Sequence, residues 1–243
     1  MPYILNIETA TRVCSVALGN NKKVIASRDN VEQVKSGEKK YSHAELLSVF
    51  IDEVLQEAGI QYSDLKAVAI SEGPGSYTGL RIGTSSAKGF CYALDIPLIA
   101  IGTLKAMANQ IRETRHVSLL RERFPDLLLC PMIDARRMEV YSAFYDLGLN
   151  EYREVQADII DESTYAEILQ ERPVIFFGDG MEKCKPVLSK LAGTYFIDEI
   201  FPSTKNMMEL AHKAYKAREF VDVAYFEPFY LKEFRATVPK KLV

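Results

Sequence analysis

The chain opens on two short runs of β-branched and aliphatic residues, Tyr3 to Glu8 and Arg12 to Leu18, parted by the threonine-rich turn Thr9 to Thr11. That pattern predicts strand, turn, strand. Asn20 and Asn21 interrupt it before a third run, Lys22 to Ser27. Asparagine tolerates positive φ, so the break reads as a tight hairpin and the first three strands as a meander. The polar segment Asp29 to Tyr41, which holds Gly37, predicts a mobile loop. From His43 to Ala58 the apolar period lengthens to that of a helix, with Leu46, Leu47, Phe50, Ile51, Val54 and Leu55 on one broad face. Ser42 and Glu45 have capping-box spacing at its start, and Gly59 supplies the stop. Strand Leu65 to Ser71, a glycine loop, helix Gly79 to Ala93, strand Pro97 to Ile101 and helix Thr103 to Met107 follow. The order β-β-β-α-β-α-β-α predicts an α/β fold with a mixed sheet covered by helices.

After the polar stretch Arg112 to Asp126 the pattern restarts with two strands, Leu127 to Ile133 and Glu139 to Tyr145. A helix near Tyr165 to Leu169, strand Val174 to Phe177, the turn Gly178 to Gly180, and helices near Met181 to Leu191 and Asn206 to Arg218 complete it. The restart sets the expected division into residues 1–110, with the glycine loop and two long helices, and residues 111–243, whose last helix packs back on the first unit. A length of 243 residues suits two subdomains, and 48% hydrophobic with 26% charged residues is the composition of a folded chain. The formal charge of −3 leaves no nucleic-acid footprint in the total, though a local basic face remains open. Cys14, Cys91, Cys130 and Cys184 sit mostly in apolar segments and read as buried thiols, not as a disulfide scaffold or zinc site. The first residues have no basic n-region and no apolar stretch is long enough to span a bilayer, so the expectation is a cytoplasmic protein without membrane contact.

The loop Glu72 to Gly83, EGPGSYTGLRIG, lies between a predicted strand and a predicted helix, where backbone N–H groups and the helix dipole can hold an anion. Gly73, Gly75, Ser76 and Gly79 are the candidate phosphate-side residues. Leu80 follows Gly79 where a Walker loop needs lysine, Thr78 takes the third glycine position of a dinucleotide fingerprint, and Ser76 is not in a G-x-S-x-G setting. The structural alternative is that these glycines turn the chain and let a helix approach its neighbours closely.

Three motifs in order decide the family: ILNIETATRVCSVAL at Ile4 to Leu18, EGPGSYTGLRIGTSSAKG at Glu72 to Gly89, and IDARRMEVYSAFY at Ile133 to Tyr145. Together they resemble the TsaB family, also called YeaZ. The resemblance implies an actin-like ATPase (ASKHA, ribonuclease-H-like) fold of two subdomains, each a mixed sheet flanked by helices. It implies a part in forming threonylcarbamoyladenosine in tRNA beside the anticodon, as the non-catalytic partner of TsaD. It also implies TsaE and a second copy of the chain as partners, and tRNA through the complex. No cofactor is required by the chain, with ATP or ADP allowed at the cleft or at a complex interface. The implied interface is helical: Leu47, Phe50, Ile51, Val54, Gly79, Ile82, Gly83, Ser86 and Phe90.

In the catalytic relative an H-x-x-x-H pair follows the strand equivalent to Pro97 to Ile101; the matching positions here are Thr103 and Met107. The relative also has an acid after its first E-T pair, where this chain has Arg12. Only His43, His116 and His212 are present, none at i, i+4 spacing, which opposes a glycoprotease-type metallopeptidase and leaves no catalytic or metal residues to assign. His43 reads as a solvated helix-start residue, His212 as packing or surface, and Glu8 as a turn cap or, alternatively, an acid orienting a nucleotide-bound metal. The remaining alternative is an ATP-binding or ATP-hydrolysing actin-like enzyme.

Overall fold

The computed structural model describes residues 2–21, 23–37 and 42–232. Strands β1 (Tyr3–Glu8), β2 (Ser15–Asn20) and β3 (Lys23–Asp29) form the antiparallel meander, with Asn21 at φ 50° in the hairpin. β4 (Leu65–Gly73) pairs parallel to β1 and β5 (Leu98–Gly102) parallel to β4, so the sheet runs β3-β2-β1-β4-β5. The second sheet repeats the design. Its meander is β6 (Leu128–Asp134), β7 (Glu139–Tyr145) and β8 (Glu151–Ile159), extended in parallel by β9 (Val174–Phe177) and β10 (Thr194–Ile197) to give β10-β9-β6-β7-β8. Two meanders, each with parallel strands added on the first strand's free edge, make the duplicated arrangement of the actin-like fold.

The helices are α1 (Val31–Lys35), α2 (His43–Ala58), α3 (Tyr77–Leu94), α4 (Thr103–Ile111), α5 (Arg115–Arg123), α6 (Ala166–Glu171), α7 (Met181–Leu188) and α8 (Met208–Ala217). Alternate residues of each central strand serve different layers, as burial on both faces requires. Leu5, Ile7, Val68 and Ile70 meet α2 and α3, whereas Ile4, Ala67 and Ala69 meet α8. In the second sheet Leu128, Cys130 and Met132 face α7, and Leu129 and Ile133 face α4. The inner layer is interlocked: α4 carries Leu104, Met107 and Ile111 into the second sheet's core, while α8 lies on β5 and β1. After α8 the chain passes along β5, where Val221 bridges Leu98, and then over the glycine loop, where the Phe229 N–H donates to the Glu72 carbonyl at 2.7 Å.

Some elements depart from the pattern-based expectation. The segment expected as a loop, Asp29 to Tyr41, contains α1, and residues 38–41 lie outside the described ones. Arg115–Arg123 is helical although its only buried residue is Val117, because one turn of contact with the second core suffices to dock a polar helix. β8 is an edge strand with charged residues along it, and β10 is only four residues long, its Tyr195-Phe196-Ile197 run too short to mark a strand by period.

Candidate functional site

The two sheets leave a cleft of about 970 Å³ at the ends of their first strands. Equivalent parts of the two halves line it: the β1–β2 turn with Thr11 and Arg12 opposite the β6–β7 turn with Asp134 and Arg136, and the loop before α3 opposite Asp179 before α7. The first turn is held from within. Glu8 is fully buried, and its Oε1 accepts the Ala10 N–H at 2.6 Å, so it caps the turn. Burial pushes the Glu8 carboxyl up to about 7.

The glycine loop docks on that turn. The Ser76 N–H donates to the Ala10 carbonyl at 2.6 Å, and a Cβ at Gly75, Gly79 or Gly83 would stand 2.2, 2.1 or 2.2 Å from Ala10 O, Thr9 O or Thr9 Oγ1. Only glycine permits that approach. Of the four candidate phosphate-side residues, Gly75 and Ser76 reach the cleft. Gly73 lines a second groove beyond the strap at Phe229, its N–H given to Thr103 Oγ1 at 3.1 Å, and Gly79 is buried with its N–H directed to Ser76 Oγ at 3.3 Å. The amides of Gly73, Ser76 and Gly79 are therefore spent inside the protein, which does not fit a phosphate cradle built from this loop.

Thr103 and Met107 do not face the cleft. Thr103 is fully buried, its hydroxyl 2.6 Å from Ser71 Oγ, and Met107 is 1% exposed in the second core, against Gly178. Among the described residues no three histidine, cysteine, aspartate or glutamate side chains gather as a metal-binding group. His43 corrects one expectation: it is half-buried at the cleft wall, with Nε2 3.2 Å from the Val13 carbonyl, and burial lowers its pKa. His212 is buried in α8. All four cysteines are buried and free.

Two of the cleft's acids are paired with lysines. Asp134 pairs with Lys183, which holds its carboxyl low against the effect of burial, and Glu139 pairs with Lys232. Asp179 accepts the Asp134 N–H at 3.2 Å, and burial raises its carboxyl to about 6. Arg12 and Arg136, in contrast, are exposed on the cleft rim. The chain's D-A-R pattern marks Arg136, but only the fold brings it opposite Arg12.

The interface list divides in the same way. Leu47, Ile51, Val54, Gly79 and Gly83 are buried inside this chain, so they are corrected from contact residues to core. Phe50, Ile82, Ser86 and Phe90 keep part of their surface, and Val49, 48% exposed on α2, is an outward apolar residue that the helical stripe had not included. No helix among the described residues is long and apolar enough to cross a membrane.

Residues 37–238 match the family model of TsaD, described as tRNA N6-adenosine threonylcarbamoyltransferase. The tRNA threonylcarbamoyladenosine biosynthesis protein TsaB of Bacillus subtilis is 31% identical over 94% of this chain and 93% of its own length. The tRNA N6-adenosine threonylcarbamoyltransferase of the same organism is 33% identical, over 41% of this chain and 31% of its own. YeaZ from Pseudomonas aeruginosa superposes with a TM-score of 0.73 at 24% identity, over 95% of this chain and all of the other, and so shares the fold. Similarity to TsaB at 31% identity along almost the whole length of both chains places it: the chain belongs to the TsaB family.

Proposed function

We propose that the chain is a non-catalytic subunit in the biosynthesis of threonylcarbamoyladenosine in tRNA, acting in the cytoplasm. It docks on TsaD through the outer surface of α2 and α3, stabilises the transferase in its active form, and helps bring TsaE and tRNA to the complex. A second copy of the chain competes for the same surface. No cofactor is required by the chain itself, and any ATP or ADP serves the complex.

One observation carries the non-catalytic reading: the two positions matching the relative's histidine pair hold a buried threonine engaged with Ser71 and Gly73 and a buried methionine in a core. The threonine hydroxyl is already engaged and the thioether is a soft, weak donor, so neither stands in for an imidazole ligand, and neither lines the cleft. The docking reading is supported by the outer face of α2 and α3, where Val49, Phe50, Ile82 and Phe90 keep apolar surface beside the small Ser86.

Val49→Glu or Ile82→Glu abolishes co-purification with TsaD while leaving the thermal midpoint near wild type for the more exposed Val49. An intact complex in both variants overturns the interface. Turnover of ATP or threonylcarbamoyl-adenylate by the isolated chain in a single-turnover assay reverses the reading in favour of an enzyme.

A further inference from the structure

The β6–β7 turn has an unusual backbone. Arg136 and Arg137 both lie at positive φ, 73° and 49°, a combination that Asn-Gly adopts without strain and arginine does not. The turn is nonetheless well made, with the Ala135 N–H on the Glu139 carbonyl and the Glu139 N–H on the Arg136 carbonyl, each at 3.1 Å. Two long cations are thus held at a tight tip where smaller residues suit the backbone better, and such placements point to a use for the side chains.

What the tip presents is a line of charge. Arg12 stands inside the cleft rim, Arg136 lines both that cleft and a hollow on the outer side of the tip, and Arg137 lines the outer hollow alone. All three are exposed, and none makes an ion pair among the described residues. Two of the acids beside them are paired with lysines, Asp134 with Lys183 and Glu139 with Lys232, while Asp179 accepts the Asp134 N–H and feels Arg12 through space, as Asp134 also does. Arg136 and Arg137 at the tip are thus exposed cations without a contact ion pair among the described residues, in a chain whose total is −3. Tyr141 and Tyr230 share the cleft wall with Arg12, and Tyr230 packs on Tyr77 with ring centroids 4.9 Å apart.

Guanidinium groups beside aromatic rings that keep part of their surface, as Tyr141 and Tyr230 do here, are the features with which proteins follow a nucleic-acid backbone and rest an unpaired base. A single small anion would call for convergent donors; these arginines diverge across both sides of the tip. We propose that Arg12, Arg136 and Arg137 form a direct RNA-binding surface, the arginines on successive phosphates and the cleft tyrosines receiving an unpaired base. The surface rests on the proposed role in tRNA modification, and gives this chain its own hold on the tRNA in place of contact through a partner only.

The test uses the full-length chain and fluorescently labelled, unmodified substrate tRNA, with anisotropy titrations at several salt concentrations. Replacing the tip by R136N together with R137G preserves the turn chemistry. It lowers affinity by about tenfold and reduces the slope of log K against log salt by about 2, as expected for two lost phosphate contacts. Arg12→Ala lowers the slope by about 1 on the same basis. A folded double variant with unchanged affinity and slope overturns the proposal, as does displacement of the tRNA by ATP, which would mark a mononucleotide cleft. A separate threonylcarbamoylation assay with TsaD keeps the two readings apart: a chain that binds tRNA through the tip yet gives TsaD no activity refutes the subunit role and leaves the surface standing.

Discussion

The two halves of the molecule share one strand order but are finished differently. The first carries α2 and α3, of 16 and 18 residues, on its outer face, and the second carries α6 and α7, of 6 and 8. The first half's charged contacts on this face are exposed, Arg28 with Glu53 and Glu57. The second half instead holds a part-buried ion pair: Arg153 meets Asp158 beside the rings of Phe144 and Tyr165, with Ser142 and Tyr165 hydroxyls on the same carboxylate. Duplicated topology leaves each half free to spend its outer layer differently. The first half builds a long helical outer surface, the one proposed above to meet a partner, and the second closes on itself with aromatic and ionic packing.

That contrast can be broken by substitution. The largest effect belongs to Arg153→Met, which leaves the part-buried Asp158 without its cation and costs about 3 kcal/mol in denaturant unfolding, the low end for a buried pair because solvent and two hydroxyls still reach the carboxylate. A cost near zero would make the second half's ion pair as dispensable as a surface one. Next comes Glu8, which ties the first half's turn. The folded protein keeps its proton up to about pH 7, whereas the unfolded chain releases it near the ordinary value of 4.5. Between those values the native state binds the extra proton. The stabilisation is full below pH 4.5 and declines as pH rises through 7, by about 3 kcal/mol in all. Glu8→Gln flattens that part of the stability–pH profile, and an unchanged profile refutes the buried proton.

Two glycines of α3 sharpen the distinction further. Gly79→Ala drives a Cβ to 2.1 Å from the Thr9 carbonyl and costs about 3 kcal/mol in thermal or chemical unfolding. Gly89 has nothing within 4 Å of the same position, and Gly89→Ala gains about 0.5–1 kcal/mol from helix propensity. Equal responses would mean that the glycines do not serve close packing. The smallest effect is Arg28→Ala, below about 1 kcal/mol, because both of its ion pairs lie in solvent.

Legibility followed the same physical lines. The capping pair Ser42 and Glu45 and the αL stop at Gly59 bound α2 where the pattern put them, since local hydrogen bonds and a positive φ are coded by adjacent residues. β8 was not legible, because an edge strand with solvent on it needs no apolar run, and α5 was not, because its docking rests on Val117. In the site, Glu8 and the loop glycines announced themselves by motif. Arg12 and Arg136, 124 positions apart by their numbers, and the half-buried His43 did not, since their surroundings come from different elements.

The sequence by itself determined the alternation that makes the strands, the helical stripe of α2, the tight glycines of the loop and the absence of a histidine pair at Thr103 and Met107, all consequences of short-range sterics, hydrogen bonding and side-chain chemistry. Only the tertiary structure decided that α4 crosses to the second core, and that Leu47, Ile51 and Val54 are spent inside while Val49 faces out. It also turned the loop's amides inward and brought Arg12 and Arg136 to one cleft, with Arg137 on the far side of the turn. The reason is physical: periodicity says which residues share a face, but which surface covers that face, and which charges remain unpaired, depends on groups distant in the chain that meet only when both halves are folded.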